Sequence, residues 1–189
     1  LCAIGDDSMR LANDVEGAVG RAREAGLGAV VVNGLEPDSN RTILEMAATH
    51  DIVRPALGIY PIDAVCNKLP DNFTLEVPRF DVDREVDHIR ERAVAGELAA
   101  VGECGLDGHW VGEETFAEQE RVFESLVDVA MSNHLPVIIH TRKREVRAAE
   151  ILRHLGARYV NFHCYGGKVK NAVRWSNEDG WWFSVPANA

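Results

Sequence analysis

The sequence has no cysteine pair at C-x-x-C spacing: Cys2, Cys66, Cys104 and Cys164 are scattered along its 189 residues. Neither a structural zinc knot nor a redox dithiol is signalled, and buried thiols in a reducing compartment are expected. Long apolar runs are missing too. The longest, such as Ala29–Val32 and Pro136–Ile139, fall far short of the ~20 residues that cross a bilayer, so no membrane partner is expected. Positive charge is also in deficit, with 20 Lys and Arg against 30 Asp and Glu for a net charge of −10. That is the wrong sign for a broad basic face that grips duplex DNA through its phosphates. It leaves room for a nuclease whose positive charge comes from bound metal ions. Common catalytic signatures are lacking as well: no G-x-S-x-G elbow, no H-E-x-x-H helix and no G-x-G-x-x-G after the first strand. Gly167-Lys168 lacks the rest of a phosphate-binding loop. No signal peptide is visible, and the expected compartment is the cytoplasm; the opening on Leu1 rather than Met suggests that residues precede it.

What is present is a globular composition, 46% hydrophobic and 26% charged, at a length that suits one domain over residues 1–189. Short apolar runs at Ala29–Asn33, Ala56–Tyr60, Ala99–Cys104, Pro136–Thr141, Tyr159–Cys164 and Trp181–Val185 alternate with segments of helical period. The helices are expected at about 13–26, 38–50, 82–97, 113–134, 143–155 and 168–178. Runs apolar throughout are strands buried on both faces of a parallel sheet. The β-then-α alternation fits a doubly wound sheet or a (β/α)₈ TIM-type barrel. Asn33, Tyr60, Glu103, His140 and His163 sit at or near the expected carboxyl ends of five runs. A barrel gathers those ends into one ring, which favours it. Six of the eight strands of a barrel are counted, so the chain reads as incomplete at both ends. Residues 61–80, interrupted by Pro61, Pro70 and Pro78, read as a long loop on the same rim, either covering the site or a simple insertion.

Three residues stand out chemically. Glu103 lies in Val101-Gly102-Glu103-Cys104-Gly105-Leu106-Asp107, His140 in Pro136-Val137-Ile138-Ile139-His140-Thr141-Arg142, and His163 in Asn161-Phe162-His163-Cys164-Tyr165-Gly166-Gly167. Imidazoles and a carboxylate are donors for zinc, manganese or magnesium. A single such histidine is more often a satisfied rim residue; three ligand types at successive strand ends point to a metal centre, since a carboxylate buried without a cation is costly. Arg142 either clamps a phosphate oxygen or pairs with Glu145. Asp107 reads chiefly as closing its own turn. Cys104 and Cys164 should point away from the ligands beside them. His50, His88, His109, His134 and His154 read as helix-end or loop residues with solvent-facing tips, His109 being the one on the active face.

At these motifs the chain resembles the TatD family of metal-dependent hydrolases, whose best-known members are deoxyribonucleases. The family's ordered G-E-x-G-L-D, P-V-x-x-H-x-R and H-x-[FY]-x-G segments match Gly102–Asp107, Pro136–Arg142 and His163–Gly167. Gln119, Phe123 and Ala130 match the helix between the first two. Weaker similarity reaches Gly58–Pro61 and Ser184–Ala189. The resemblance implies a (β/α)₈ barrel in which Glu103 bridges two divalent metal ions (Mg²⁺, Mn²⁺ or Zn²⁺) and His140 and His163 complete one metal's shell. It also implies an H-x-H pair just before Leu1 and an Asp in a T-D segment after strand seven, both beyond the residues given. Tyr60 stands where many members have His, beside the cleft; Arg142, Tyr60 and His109 are the expected substrate contacts. The implied activity is metal-dependent hydrolysis of DNA, with Glu103 catalytic through its metals. A hydrolase of a small ester, amide or phosphoester and a non-catalytic paralogue remain the alternatives. No protein partner is evident.

Overall fold

The computed structural model describes residues 14–185; Cys2 and the Pro186–Ala189 part of the family-like C-terminal segment lie outside them. Strands and helices alternate along the chain. Helix α1 (Val15–Glu24) precedes β1 (Val30–Asn33), α2 (Pro37–Thr49), β2 (Val53–Leu57), α3 (Val82–Val94) and β3 (Ala100–Asp107). Then come α4 (Phe116–Ser132), β4 (Val137–Arg142), α5 (Glu145–Leu155), β5 (Val160–Phe162), α6 (Val169–Asp179) and β6 (Trp182–Phe183). All strand pairs are parallel and each strand lies beside the next, β1-β2-β3-β4-β5-β6. A doubly wound sheet would reverse its order at a switch point. This one never reverses, which is the winding of a (β/α) barrel, and six of a barrel's eight strands are described.

Local chemistry explains the boundaries. Helix α2 starts at a reciprocal cap: Glu36 accepts from the Ser39 and Asp38 amides, Ser39 Oγ accepts from the Glu36 amide, and Pro37 takes the first turn. Asp81 caps α3 through the Arg84 amide. Gly156 ends α5 in the left-handed conformation, as its place in the sequence leads one to expect. Helix α4 buries Val122, Phe123, Leu126, Val127 and Ala130 against the sheet, leaving Arg121 and Asp128 outside. The far end of the sheet closes on an aromatic cluster. Phe162 packs against Trp175, Trp181 and Phe183 at centroid distances of 5.4, 5.6 and 4.9 Å.

Three segments differ from the sequence expectation. Strand β2 begins at Val53 and ends at Leu57, so Tyr60 sits three residues past it in a loop rather than at the strand end. Pro55, which has no amide to donate, serves the sheet with its carbonyl alone, accepting from the Ala99 amide at 2.8 Å. Strand β3 continues through Gly105 and Leu106 to Asp107, where a turn was expected. The stretch after Tyr60 is not formless either: Asp63–Lys68 form a 3₁₀ helix. Ile62, Val65 and Leu69 build a small apolar cluster of their own with Val111, flanked by Tyr60, Phe73, Leu75 and Val77.

Two glycines set how closely the site-bearing strands approach. A Cβ on Gly58 would meet the Gly102–Glu103 backbone at 2.5 Å. A Cβ on Gly105, where φ is +139°, would lie 2.1 Å from the His140 carbonyl oxygen. Gly105→Ala therefore combines steric overlap with backbone strain, and it is expected to cost about 2–5 kcal/mol. Urea denaturation checks this through a lowered midpoint at unchanged slope.

Candidate metal and substrate site

Strand period places Glu103, Gly105 and Asp107 on one side of β3, and Gly105 is registered against His140 of β4. Because Gly105 has no side chain, the His140 imidazole can sit between the two carboxylates. Its Nε2 lies 3.0 Å from Asp107 Oδ2 and its Nδ1 lies 3.7 Å from Glu103 Oε1. Burial alone would lower the His140 pKa, but the Asp107 and Glu103 carboxylates outweigh it and hold the ring's pKa above its ordinary value. Tyr60 leans over the same ring, its hydroxyl 3.3 Å from each nitrogen and the centroids 4.6 Å apart. Burial, followed by the charges of Asp107 and Glu103, pushes the Tyr60 hydroxyl up, so it stays protonated.

Asp107 does more than close a turn. It is fully buried at 0% exposure, and its oxygens divide the work. Oδ2 faces His140, while Oδ1 accepts from the His109 and Trp110 amides at 2.7 and 2.9 Å. Burial acts to raise its pKa; the hydrogen bonds from His140 and those two amides overcome that and hold the carboxyl below its usual range. Its own backbone is gripped by buried Gln119 of α4, which accepts from the Asp107 amide at 2.8 Å and donates to its carbonyl at 3.0 Å. The signal for this role was present in the sequence, since Asp107 falls four residues after Glu103, on the same side of a strand.

The remaining expected residues lie around this cluster. Arg142 ends β4 with its guanidinium 6.0 Å from the centre of the Trp110 ring. Glu145, the alternative partner for Arg142, instead accepts from the Lys143 amide at 3.0 Å. His109 is exposed and meets Trp110 edge-on at 5.0 Å. His163 follows β5 directly, its amide donating to the Ile139 carbonyl at 2.8 Å. Its ring faces Ser184 Oγ at 3.1 Å and Cys164 Sγ at 3.4 Å. Cys164 was expected to turn away. It does not, because its backbone is left-handed at φ +47° and the thiol swings beside the imidazole. Cys104, within β3, is buried as expected, and burial pushes its thiol up. His50 is likewise not solvent-facing: it is 9% exposed at the end of α2, with Nε2 3.6 Å from Glu16. Nearby on the rim, burial and the Glu36 carboxylate push Asp63 up to about 7.

The donor chemistry, imidazole with carboxylate at neighbouring strand ends, fits a divalent cation. Among the described residues, however, no group of three or more His, Cys, Asp and Glu side chains converges so as to hold an ion. The His140 nitrogens are taken up by Asp107 and Glu103. No helix of the described residues is long and apolar enough to cross a membrane.

A singly wound parallel barrel carrying an acid–histidine cluster at the carboxyl ends of its strands defines the class of this chain as barrel proteins with their site on that rim. The chain belongs to the TatD related DNase family, whose model matches residues 4–189. It is 29% identical over 161 residues to YabD of Bacillus subtilis, an uncharacterized metal-dependent hydrolase, covering 84% of this chain and 57% of that protein. It is also 29% identical over 161 residues to the 3'-5' ssDNA/RNA exonuclease TatD of Edwardsiella piscicida, covering 84% of this chain and 56% of that one. Among solved structures it is similar to YjjV, a TatD homologue from Escherichia coli K12, with a TM-score of 0.72 at 25% identity over 90% of this chain and 61% of that chain. The chain thus spans under two thirds of the length of these relatives.

The raised pKa of His140 and the lowered pKa of Asp107 fix a pH signature. The pair stabilises the fold fully between the ordinary carboxylate value of 3.8 and the ordinary imidazole value of 6.5. That contribution is lost as pH rises through the folded pKa of His140, or falls through that of Asp107. In metal-free buffer the thermal midpoint should drop as pH rises above the ordinary imidazole value of 6.5 and through the folded pKa of His140, and drop less in His140→Gln; melts followed by circular dichroism test this.

Proposed function

We propose that the protein is a metal-dependent hydrolase of phosphodiester bonds that acts on DNA, with residues 1–189 belonging to one barrel domain. The observation that carries the reading is the Glu103–His140–Asp107 cluster at the carboxyl ends of β3 and β4, in the family to which the chain belongs. Glu103, His140 and His163 are the residues that would hold divalent ions of the Mg²⁺, Mn²⁺ or Zn²⁺ type, with Glu103 as the ligand that two such ions would share. Ions so held would supply an activated water and positive charge for the developing oxyanion.

The protein's own groups divide the remaining tasks. Asp107 fixes the orientation of the His140 ring, the usual service of a carboxylate behind a ligating histidine. Tyr60, kept protonated beside two carboxylates, offers a neutral hydrogen-bond donor at the cleft. Arg142 meets a phosphate oxygen, and His109 lies on the rim where the substrate enters. Proton and metal compete for the same imidazoles, so metal affinity falls as pH falls. A metal-dependent hydrolase of a small ester, amide or phosphoester is the reading that the net charge of −10 and the Tyr60 position support next.

Digestion of end-labelled single-stranded DNA by the full-length protein decides between them. With Mg²⁺ or Mn²⁺ the strand should shorten stepwise. EDTA should stop it, and Glu103→Gln should slow it by at least about a hundredfold, the scale on which loss of one charge-stabilising group acts. Intact DNA alongside turnover of a small-ester panel would move the assignment to the second reading.

A further inference from the structure

The side chain of Trp110 has no role in the cluster just described, and its placement is unusual. Its backbone is fixed on both sides: the amide is held by Asp107 Oδ1 at 2.9 Å, and the next residue, Val111, is 9% exposed in the apolar cluster under the 61–80 loop. The indole itself is 41% exposed. Leaving a large ring in water on a rigid backbone forgoes the burial that usually accompanies an aromatic of this size. The ring also has chosen neighbours. His109 stands edge-on to it at 5.0 Å and 74°, and the Arg142 guanidinium lies 6.0 Å from its centre. Through Asp107 the same carboxylate sets both the His140 ring and the start of this platform.

We infer that Trp110 is a stacking platform for an unpaired nucleobase of the substrate, with Arg142 beside it on the adjoining phosphate. A flat apolar face paired with a planar cation matches a base joined to an anionic phosphate, and stacking of this kind accepts any base. Bases within a duplex have both faces covered, so the platform selects single-stranded or frayed ends. The inference rests on the phosphodiesterase reading and names the part of the substrate that the cluster leaves unrecognised. Trp110 is a binding residue here; the reacting atoms lie elsewhere.

The test is binding of a fluorescein-labelled single-stranded phosphorothioate oligonucleotide to the full-length protein in Mg²⁺, where the modified linkages suppress turnover and the cations that offset the acidic rim are present. A matched oligonucleotide with abasic terminal positions serves as the second probe. Trp110→Ala should weaken binding of the normal strand about 5- to 150-fold, which corresponds to the roughly 1–3 kcal/mol that stacking of one base is worth. Trp110→Phe should recover most of that loss. The abasic strand should bind the native protein and Trp110→Ala alike, whereas Arg142→Ala should weaken both strands. Equal affinity of native protein and Trp110→Ala for the normal strand would overturn the platform and leave the nuclease reading standing. If the native protein bound neither strand, both would fall together.

Discussion

The structure around the site depends on one buried charge. Asp107 has no exposure to solvent, and an ionised carboxylate in that position is tolerable only if every oxygen is satisfied. It is satisfied by His140 on one oxygen and by two backbone amides on the other. Its backbone is held by a glutamine from a helix packed on the sheet. Removing any of these partners leaves a costly group behind, so strand β3, helix α4, strand β4 and the loop after β3 are fixed relative to one another. The glycines act to the same end from the steric side. Gly105 makes room for the His140 backbone and Gly58 lets its loop lie on Glu103.

The electrostatics of the rim set the terms for a substrate. Glu103, Asp107, Asp63 and Glu36 all belong to this end of the barrel, and burial, followed by the charge of Glu36, already raises the pKa of Asp63. An anionic substrate approaching such a face meets repulsion unless positive charge is added. Arg142 supplies one unit; bound divalent cations would supply the rest. An acidic protein acting on a polyanion is consistent on those terms, because the charge that matters sits at a point and not over a broad surface.

Much of this was legible in the sequence, and the parts that were not have physical causes. Apolar runs and helical stripes located the six strands and six α-helices of the described residues, with β2 placed three residues too late, and Gly156 marked a helix end correctly. Glu103, His140 and Tyr60 do meet. Gly-Leu-Asp is turn-like in composition and suggests a turn at Asp107, whereas pairing with Arg142 carries it on to the end of β3. Cys164 broke strict alternation through a left-handed backbone, which composition does not announce at a cysteine. His50 illustrates a general difficulty: burial of a single polar residue depends on what packs over it, and no local pattern records that. Trp110 could have been noticed only by asking what an aromatic residue does just beyond a strand end.

The division of labour within Asp107 also bears on how such a protein diverges. One oxygen is committed to a side chain, His140, and the other only to the backbone amides of residues 109 and 110. Amides are common to all residues but proline. The loop's first positions are therefore free to change identity while its path, and the imidazole behind it, stay put. The residues that this loop presents at the rim can therefore change without the Asp107–His140 pair being rebuilt.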